Sequence, residues 1–156
     1  MKIKLVWIGR SKDKNFADLI DQYRKRLSHY CALEISELKE LKAGRLSAGE
    51  LMKKEADLLL RQVADQDLMV LMDERGRQLS SVELSEWIQA KMNIATPRMT
   101  LVIGGAWGVD PKVNERADWI WSLSKLTLTH DMARVFLIEQ IYRAFTILRG
   151  EKYHNE

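Results

Sequence analysis

The residues most suggestive of chemistry run from Trp119 to His130, where a short apolar stretch gives way to Ser122-Leu123-Ser124-Lys125-Leu126-Thr127-Leu128-Thr129-His130. Leucines alternate with hydroxyls just ahead of a long amphipathic segment. Such a ribbon is too apolar for a solvated loop and too rich in hydrogen-bonding groups for ordinary core, so it is expected to wrap a partly apolar ligand. A second candidate, Ile103-Gly104-Gly105-Ala106-Trp107-Gly108, also follows a strand-like run. Together the two predict a ligand cleft; the competing reading is a pair of plain turns between strands and helices.

Spacing narrows the chemistry. The glycines do not fall at the first, third and sixth places of a dinucleotide fingerprint, and no Gly-Lys-Ser/Thr follows them, so they imply neither a nicotinamide cofactor nor a nucleoside triphosphate. A double glycine still lets backbone approach a ligand closely. His29, His130 and His154 have no second ligand at metal spacing, so no metal site is expected. No serine has the flanks of a nucleophile elbow, which argues against a Ser-His-Asp hydrolase.

The elements that must position these loops can be read from periodicity and caps. Residues 3–8 read as a strand, and Ser11 or Asp13 can cap a helix whose Phe16, Leu19, Ile20, Tyr23 and Leu27 keep the helical period. Ala32 to Leu38 reads as strand, and Ser47 to Glu50 is a capping box opening a helix to about Ala64. Leu68 to Met72 is expected as a buried strand with Asp73-Glu74-Arg75-Gly76-Arg77 as the turn after it, followed by a second capping box at Ser80 to Glu83. Met99 to Ile103 gives a fourth strand, Asp110-Pro111 starts a short helix, and Asp118 to Ser122 gives a fifth strand. The last helix spans Asp131 to about Arg149, with Val135, Ile138, Tyr142 and Phe145 on one stripe. Five strands alternating with five helices predict an α/β fold with a mostly parallel sheet covered on both faces. Met72-Asp73, Gly104-Gly105 and Leu123 to Leu128 then all lie beyond the carboxyl ends of strands, where such sheets bind ligands.

Composition sets the class. The chain has 156 residues, 46% hydrophobic and 30% charged, which fits a single domain over residues 1–156 with a real core. No apolar run is long enough to span a membrane, and the opening Lys2-Ile3-Lys4-Leu5-Val6-Trp7-Ile8 reads as strand rather than signal peptide. The single Cys31 cannot form an internal disulfide, so a cytoplasmic location is expected. A net charge of +3 permits nucleic-acid binding without demanding it. Basic residues gather at Arg10, Lys12, Lys14, Arg24, Lys25 and Arg26 and again at Lys39, Lys42 and Arg45; a solvated helix face explains such charge more readily than RNA does, so it only permits RNA binding.

Taken together, Ile103-Gly104-Gly105, the Ser122 to Leu128 ribbon, His130, Arg134, Glu139-Gln140-Ile141-Tyr142-Arg143-Ala144 and the closing Tyr153-His154 resemble the knotted SPOUT-class methyltransferases. Within that class the chain is similar to the enzymes that methylate N3 of a pseudouridine in large-subunit ribosomal RNA. The likeness covers the whole chain and is most specific in its C-terminal third. It implies a C-terminal trefoil knot and S-adenosylmethionine as cofactor, held by Met72, Gly104, Leu123, Ser124, Lys125, Leu126, Thr127 and Leu128. It also implies ribosomal RNA within assembled ribosomes as partner and His154, Tyr153 and Arg143 as catalytic residues. In that scheme the tail closes over the nucleotide while Arg143 and Arg134 stabilise an anionic imide or phosphate; the plainer alternative is that both arginines pair with Glu139 or the helix end. His130 is expected to shape the loop rather than take a proton. A homodimer is expected because the last helix carries more apolar surface than one small sheet can cover. Two features depart from the family pattern. Thr129 stands where relatives commonly have proline, and Asn155 and Glu156 replace a basic end, which puts phosphate gripping by the last residues in doubt. The alternative function is a non-catalytic ribosome-binding assembly factor with the same fold; a nucleotide-binding oxidoreductase has only the glycine run behind it.

Overall fold

A computed structural model describes residues 1–42, 44 and 46–154; Ala43, Arg45, Asn155 and Glu156 lie outside the described residues. The elements follow in the order β1 (Lys2–Ile8), α1 (Lys14–Leu27), β2 (Ala32–Leu38), α2 (Ala48–Leu60), β3 (Leu68–Arg77), α3 (Ser81–Asn93), β4 (Arg98–Ile103), α4 (Pro111–Arg116), β5 (Trp119–Trp121) and α5 (His130–Leu148). The strands form one sheet in the order β2-β1-β4-β3-β5, and every adjacent pair runs parallel.

Strand alternation decides which helices cover which face. Ile3, Leu5 and Trp7 of β1, Val70 of β3 and Met99, Leu101 and Ile103 of β4 point to one side, where Leu27 of α1, Leu84 and Ile88 of α3 and Leu137, Ile138 and Ile141 of α5 meet them. Val6, Ile8, Met69, Leu71 and Val102 point to the other, against Ala56 and Leu59 of α2 and Val113 of α4. The sheet therefore lies between a three-helix layer and a two-helix layer. Continuous burial of β1 and β4 follows from this double cover.

Helix starts obey their caps. Both capping boxes form, with Ser47 and Ser80 accepting from the Glu50 and Glu83 amides while each glutamate reaches back to the cap amide. Asp13, Asp110 and Thr129 cap α1, α4 and α5. One expected turn is not there. Asp73 to Arg77, read from its composition as the turn closing β3, continues as strand, with a register irregularity between Met72 and Arg77. Edge pairing explains the difference: the Ser122 amide donates to the Arg77 carbonyl at 3.0 Å, and a Cβ on Gly76 would lie 2.7 Å from the Ile120 carbonyl oxygen, so glycine here serves close strand contact rather than a turn.

A polar tie crosses the amino-terminal edge of this sheet. Asp67, buried at 4% exposure, accepts from Arg98 Nε at 2.8 Å and Thr100 Oγ1 at 2.8 Å, and from the Ala64 amide. Burial alone would raise its carboxyl, but the Arg98 guanidinium and the two other donors outweigh that and hold it below the usual carboxylate range. A lowered carboxyl contributes stability above its unfolded pKa and loses it as pH falls, so the fold is expected to weaken below about pH 4. Asp67→Asn should cost about 3 kcal/mol near neutrality by stranding Arg98 and should flatten that part of the acid limb, as read from denaturation midpoints across pH.

Candidate functional site

At the carboxyl end of the sheet, the exits of β3, β4 and β5 enclose a cavity of about 350 Å³. Its apolar walls include Met72, Ile103, Val109, Trp121, Leu123, Leu126 and Leu128, and its polar lining comes from Asp73, Glu74, Ser124, Thr127, His130 and the Gly104-Gly105 backbone. Seven of the eight expected cofactor residues meet here. Lys125 does not line the cavity; it lies exposed within the same ribbon.

The ribbon is held by its own hydroxyls. Ser122 Oγ donates to the Ser124 carbonyl at 2.9 Å, the Leu126 amide donates to Ser124 Oγ at 2.9 Å, and Thr127 Oγ1 donates to Glu74 Oε2 at 2.8 Å. These bonds leave the leucines to form the walls. Opposite, the glycine turn is tight for steric reasons: a Cβ on Gly104 would sit 2.5 Å from Val109 Cγ1 and 3.3 Å from the Gly108 carbonyl oxygen. Asp73 pairs with Arg75 at 2.8 Å, and that guanidinium holds its carboxyl below the ordinary range.

His130 opens α5 and lies half-buried on the cavity wall. Burial, and next the Arg134 charge, lower its pKa, which suits a wall residue more than a carried charge. Arg134 is buried, with its side chain 4% exposed. It donates to the Ile8 carbonyl at 2.7 Å and to Asp131 at 3.0 Å, clamping the end of β1 to the start of α5. Of the expected roles for Arg134, pairing is therefore what the geometry displays, though its partner is Asp131 and not Glu139.

The expected catalytic residues gather elsewhere. Arg143 bonds Glu139 at 2.6 Å, Tyr153 Oη donates to Glu139 Oε1 at 3.0 Å and lies 3.2 Å from Tyr23 Oη, and His154 Nδ1 is 3.4 Å from Arg143. The Arg143 guanidinium stands 4.7 Å from the Tyr153 ring centroid, and Tyr142 meets that ring edge-on at 4.8 Å. Burial, with the Tyr23 and Glu139 hydrogen bonds, pushes the Tyr153 phenol well above its usual range, so it stays a donor. Arg143 lies 13 residues beyond His130 on α5, about 20 Å along the axis at 1.5 Å per residue. One chain thus places the tail cluster and the ribbon cavity at opposite ends of one helix.

The basic residues of α1 mostly pair locally: Arg24 and Lys25 both reach Asp21, and Arg26 lies over the Tyr23 and Tyr142 rings. Among the described residues no group of three His, Cys, Asp or Glu could hold a metal ion, and no helix is long and apolar enough to cross a membrane.

A parallel α/β sheet with a leucine-and-hydroxyl ribbon facing a double-glycine turn at its carboxyl edge defines a class, and comparison with known proteins supplies its name. The family model described as a predicted SPOUT methyltransferase matches residues 1–154, and the chain belongs to that family. It is similar to the ribosomal RNA large subunit methyltransferase H of Christiangramia forsetii, 45% identical over 156 residues covering 99% of each chain. The protein of the same name from Cytophaga hutchinsonii is 41% identical over 99% of this chain and 100% of its own. Among solved structures, a probable methylase family protein from Haemophilus influenzae superposes with a TM-score of 0.55 at 13% identity, covering 99% of this chain and 70% of that one, a likeness of fold. SPOUT methyltransferases draw their methyl group from S-adenosylmethionine. The cavity fits that cofactor: its volume is in the range of small-molecule sites, its leucines and Met72 suit an adenine, and Asp73 and Glu74 suit the cationic end.

Proposed function

We propose that this protein transfers the methyl group of S-adenosylmethionine to N3 of a pseudouridine in large-subunit ribosomal RNA, acting on assembled ribosomes in the cytoplasm as a homodimer of single-domain, C-terminally knotted chains. The observation that carries the reading is the ribbon cavity at the ends of β3, β4 and β5, in a chain whose relatives over full length bear the name ribosomal RNA large subunit methyltransferase H.

S-adenosylmethionine supplies an electrophilic methyl carbon. The chain's residues supply placement, which for a displacement at a methyl carbon is the larger part of catalysis. Met72, Gly104, Leu123, Ser124, Leu126, Thr127 and Leu128 hold the donor, while Lys125 stays exposed outside the lining. Tyr153 and His154 close over the nucleotide, and Arg143 stabilises negative charge on the imide. Because about 20 Å of α5 separates that cluster from the cavity of its own chain, the tail serves the cavity of a second copy. Met132 and Phe136, exposed at 44% and 39% on α5, favour such pairing.

Ribosomes from a strain lacking this protein, incubated with it and tritiated S-adenosylmethionine, should acquire label in large-subunit RNA at the N3 position. Ribosome binding without label would instead favour an assembly factor that has kept the fold and lost the reaction.

A further inference from the structure

Behind the glycine turn lies a second cavity, of about 580 Å³, which shares Gly105, Ala106 and His130 with the ribbon cavity. Its floor carries Glu55 of α2. That residue is 4% exposed, and its Oε2 has no hydrogen-bond partner among the described residues. The contrast with Asp67, which accepts from three donors, is instructive. An unpartnered buried carboxylate is costly, so its retention needs a reason outside ordinary packing. Gly105 gives way to it: a Cβ there would collide with Glu55 Oε2 and lie 2.9 Å from Cδ.

We infer that Glu55 is the base that accepts the N3 proton of the target nucleotide, and that the cavity in front of it receives the target ring, across the glycine turn from the methyl donor. The inference rests on the methyltransferase reading above and names the proton acceptor that reading leaves open. An imide N–H is the donor that the orphaned carboxylate lacks. Leu51 and Ile8 give the cavity apolar walls, and Trp107, 63% exposed at the rim, offers a face on which a base can stack.

The charges around the cavity sort into paired and available ones. From the exit of β1, Lys12 lies 3.9 Å from Glu40 beyond β2, and on α5 Arg134 is bound to Asp131. Arg10, with its side chain 82% exposed, lies 3.5 Å from Glu37 of β2, and Lys42 remains at the rim for phosphates. Burial first, and then the Glu40 charge, raise the Glu55 carboxyl, which makes it a stronger base than a solvated glutamate. His130, on the shared wall, is shifted toward its neutral form and adds no competing cation.

In the step itself, Glu55 takes the proton from N3, and the freed N3 electron pair forms the bond to the methyl carbon. The carbon–sulfur bond breaks with its pair staying on sulfur, giving N3-methylpseudouridine, S-adenosylhomocysteine and a protonated Glu55 that later releases its proton to water.

The test compares wild type, Glu55→Gln and Glu55→Asp in single-turnover methylation of ribosomes lacking the mark, from pH 5.5 to 9 on the order of the stability window of most folds, with calorimetry of S-adenosylhomocysteine binding alongside. Glu55→Gln should react at least about a hundredfold more slowly near neutrality, with a deficit that shrinks as pH rises and solvent ionises the imide. Glu55→Asp should recover part of the rate, and S-adenosylhomocysteine affinity should stay within about threefold of wild type, well under one decade of binding free energy. A Glu55→Gln rate equal to wild type, or a loss matched by weaker S-adenosylhomocysteine binding with an unchanged pH profile, would overturn the assignment. Absence of label even with wild type would overturn the function and this inference together, so the two failures are told apart.

Discussion

Replacing His154 with alanine is expected to slow methyl transfer at least about a hundredfold while leaving the affinity for S-adenosylhomocysteine unchanged. The separation follows from the geometry. His154 stands beside Arg143 near the carboxyl end of α5, whereas the donor cavity of the same chain lies at its amino end and is lined without it, so the ring supplied by the second copy meets the nucleotide and leaves the residues that hold the donor in place. Stability should hardly change, because His154 is half-buried on the tail and, among the described residues, its one polar contact is the 3.4 Å approach to Arg143. Single-turnover rates on ribosomes lacking the mark, set beside calorimetry of the same preparation, check both halves. Unchanged turnover would remove the tail from the mechanism.

Gly104→Val is expected to do the reverse and abolish donor binding. Even a single Cβ at this position would press on Val109 Cγ1 at 2.5 Å and on the Gly108 carbonyl oxygen at 3.3 Å, so the turn must open or shift. The branched side chain adds bulk on the wall of a cavity of only about 350 Å³. A loss of more than about a hundredfold in S-adenosylhomocysteine affinity is expected, equivalent to about 2.7 kcal/mol, together with a lower melting temperature. Calorimetry and thermal denaturation read the two effects. Wild-type affinity in Gly104→Val would place the donor away from the glycine turn.

Much of this architecture is written in local signals. Ser47 with Glu50 and Ser80 with Glu83 announce two helix starts that form with both reciprocal bonds, and Asp110-Pro111 announces a third. The alternation of Ile3, Leu5 and Trp7 against Val6 and Ile8 assigns the two faces of β1. Legibility ends where long-range pairing overrides composition. Asp73 to Arg77 has the residues of a turn, yet the Ser122 amide and the Ile120 backbone, more than forty positions away, hold it extended.

The site shows the same division. Alternating leucines and hydroxyls mark the ribbon, but alternation does not say that Lys125 points away from the cavity while its neighbours line it. Glu55 was missed because a glutamate in an amphipathic helix ordinarily faces water. A signal was present: Leu51, Glu55 and Leu59 follow at intervals of four, which puts the carboxyl on the buried stripe of α2. The distance between Arg143 and the ribbon was available too, from helix rise alone, once both were placed on α5.

The central claim is that the ribbon and the glycine turn enclose the methyl donor in a site completed by the tail of a second copy. A crystal structure of the protein grown with S-adenosylhomocysteine tests it most directly. The expected result has the adenine between Met72 and the Leu123 to Leu128 ribbon, with Tyr153 and His154 of the other copy at its sulfur end. The ribbon packed closed with the compound bound elsewhere would contradict the account.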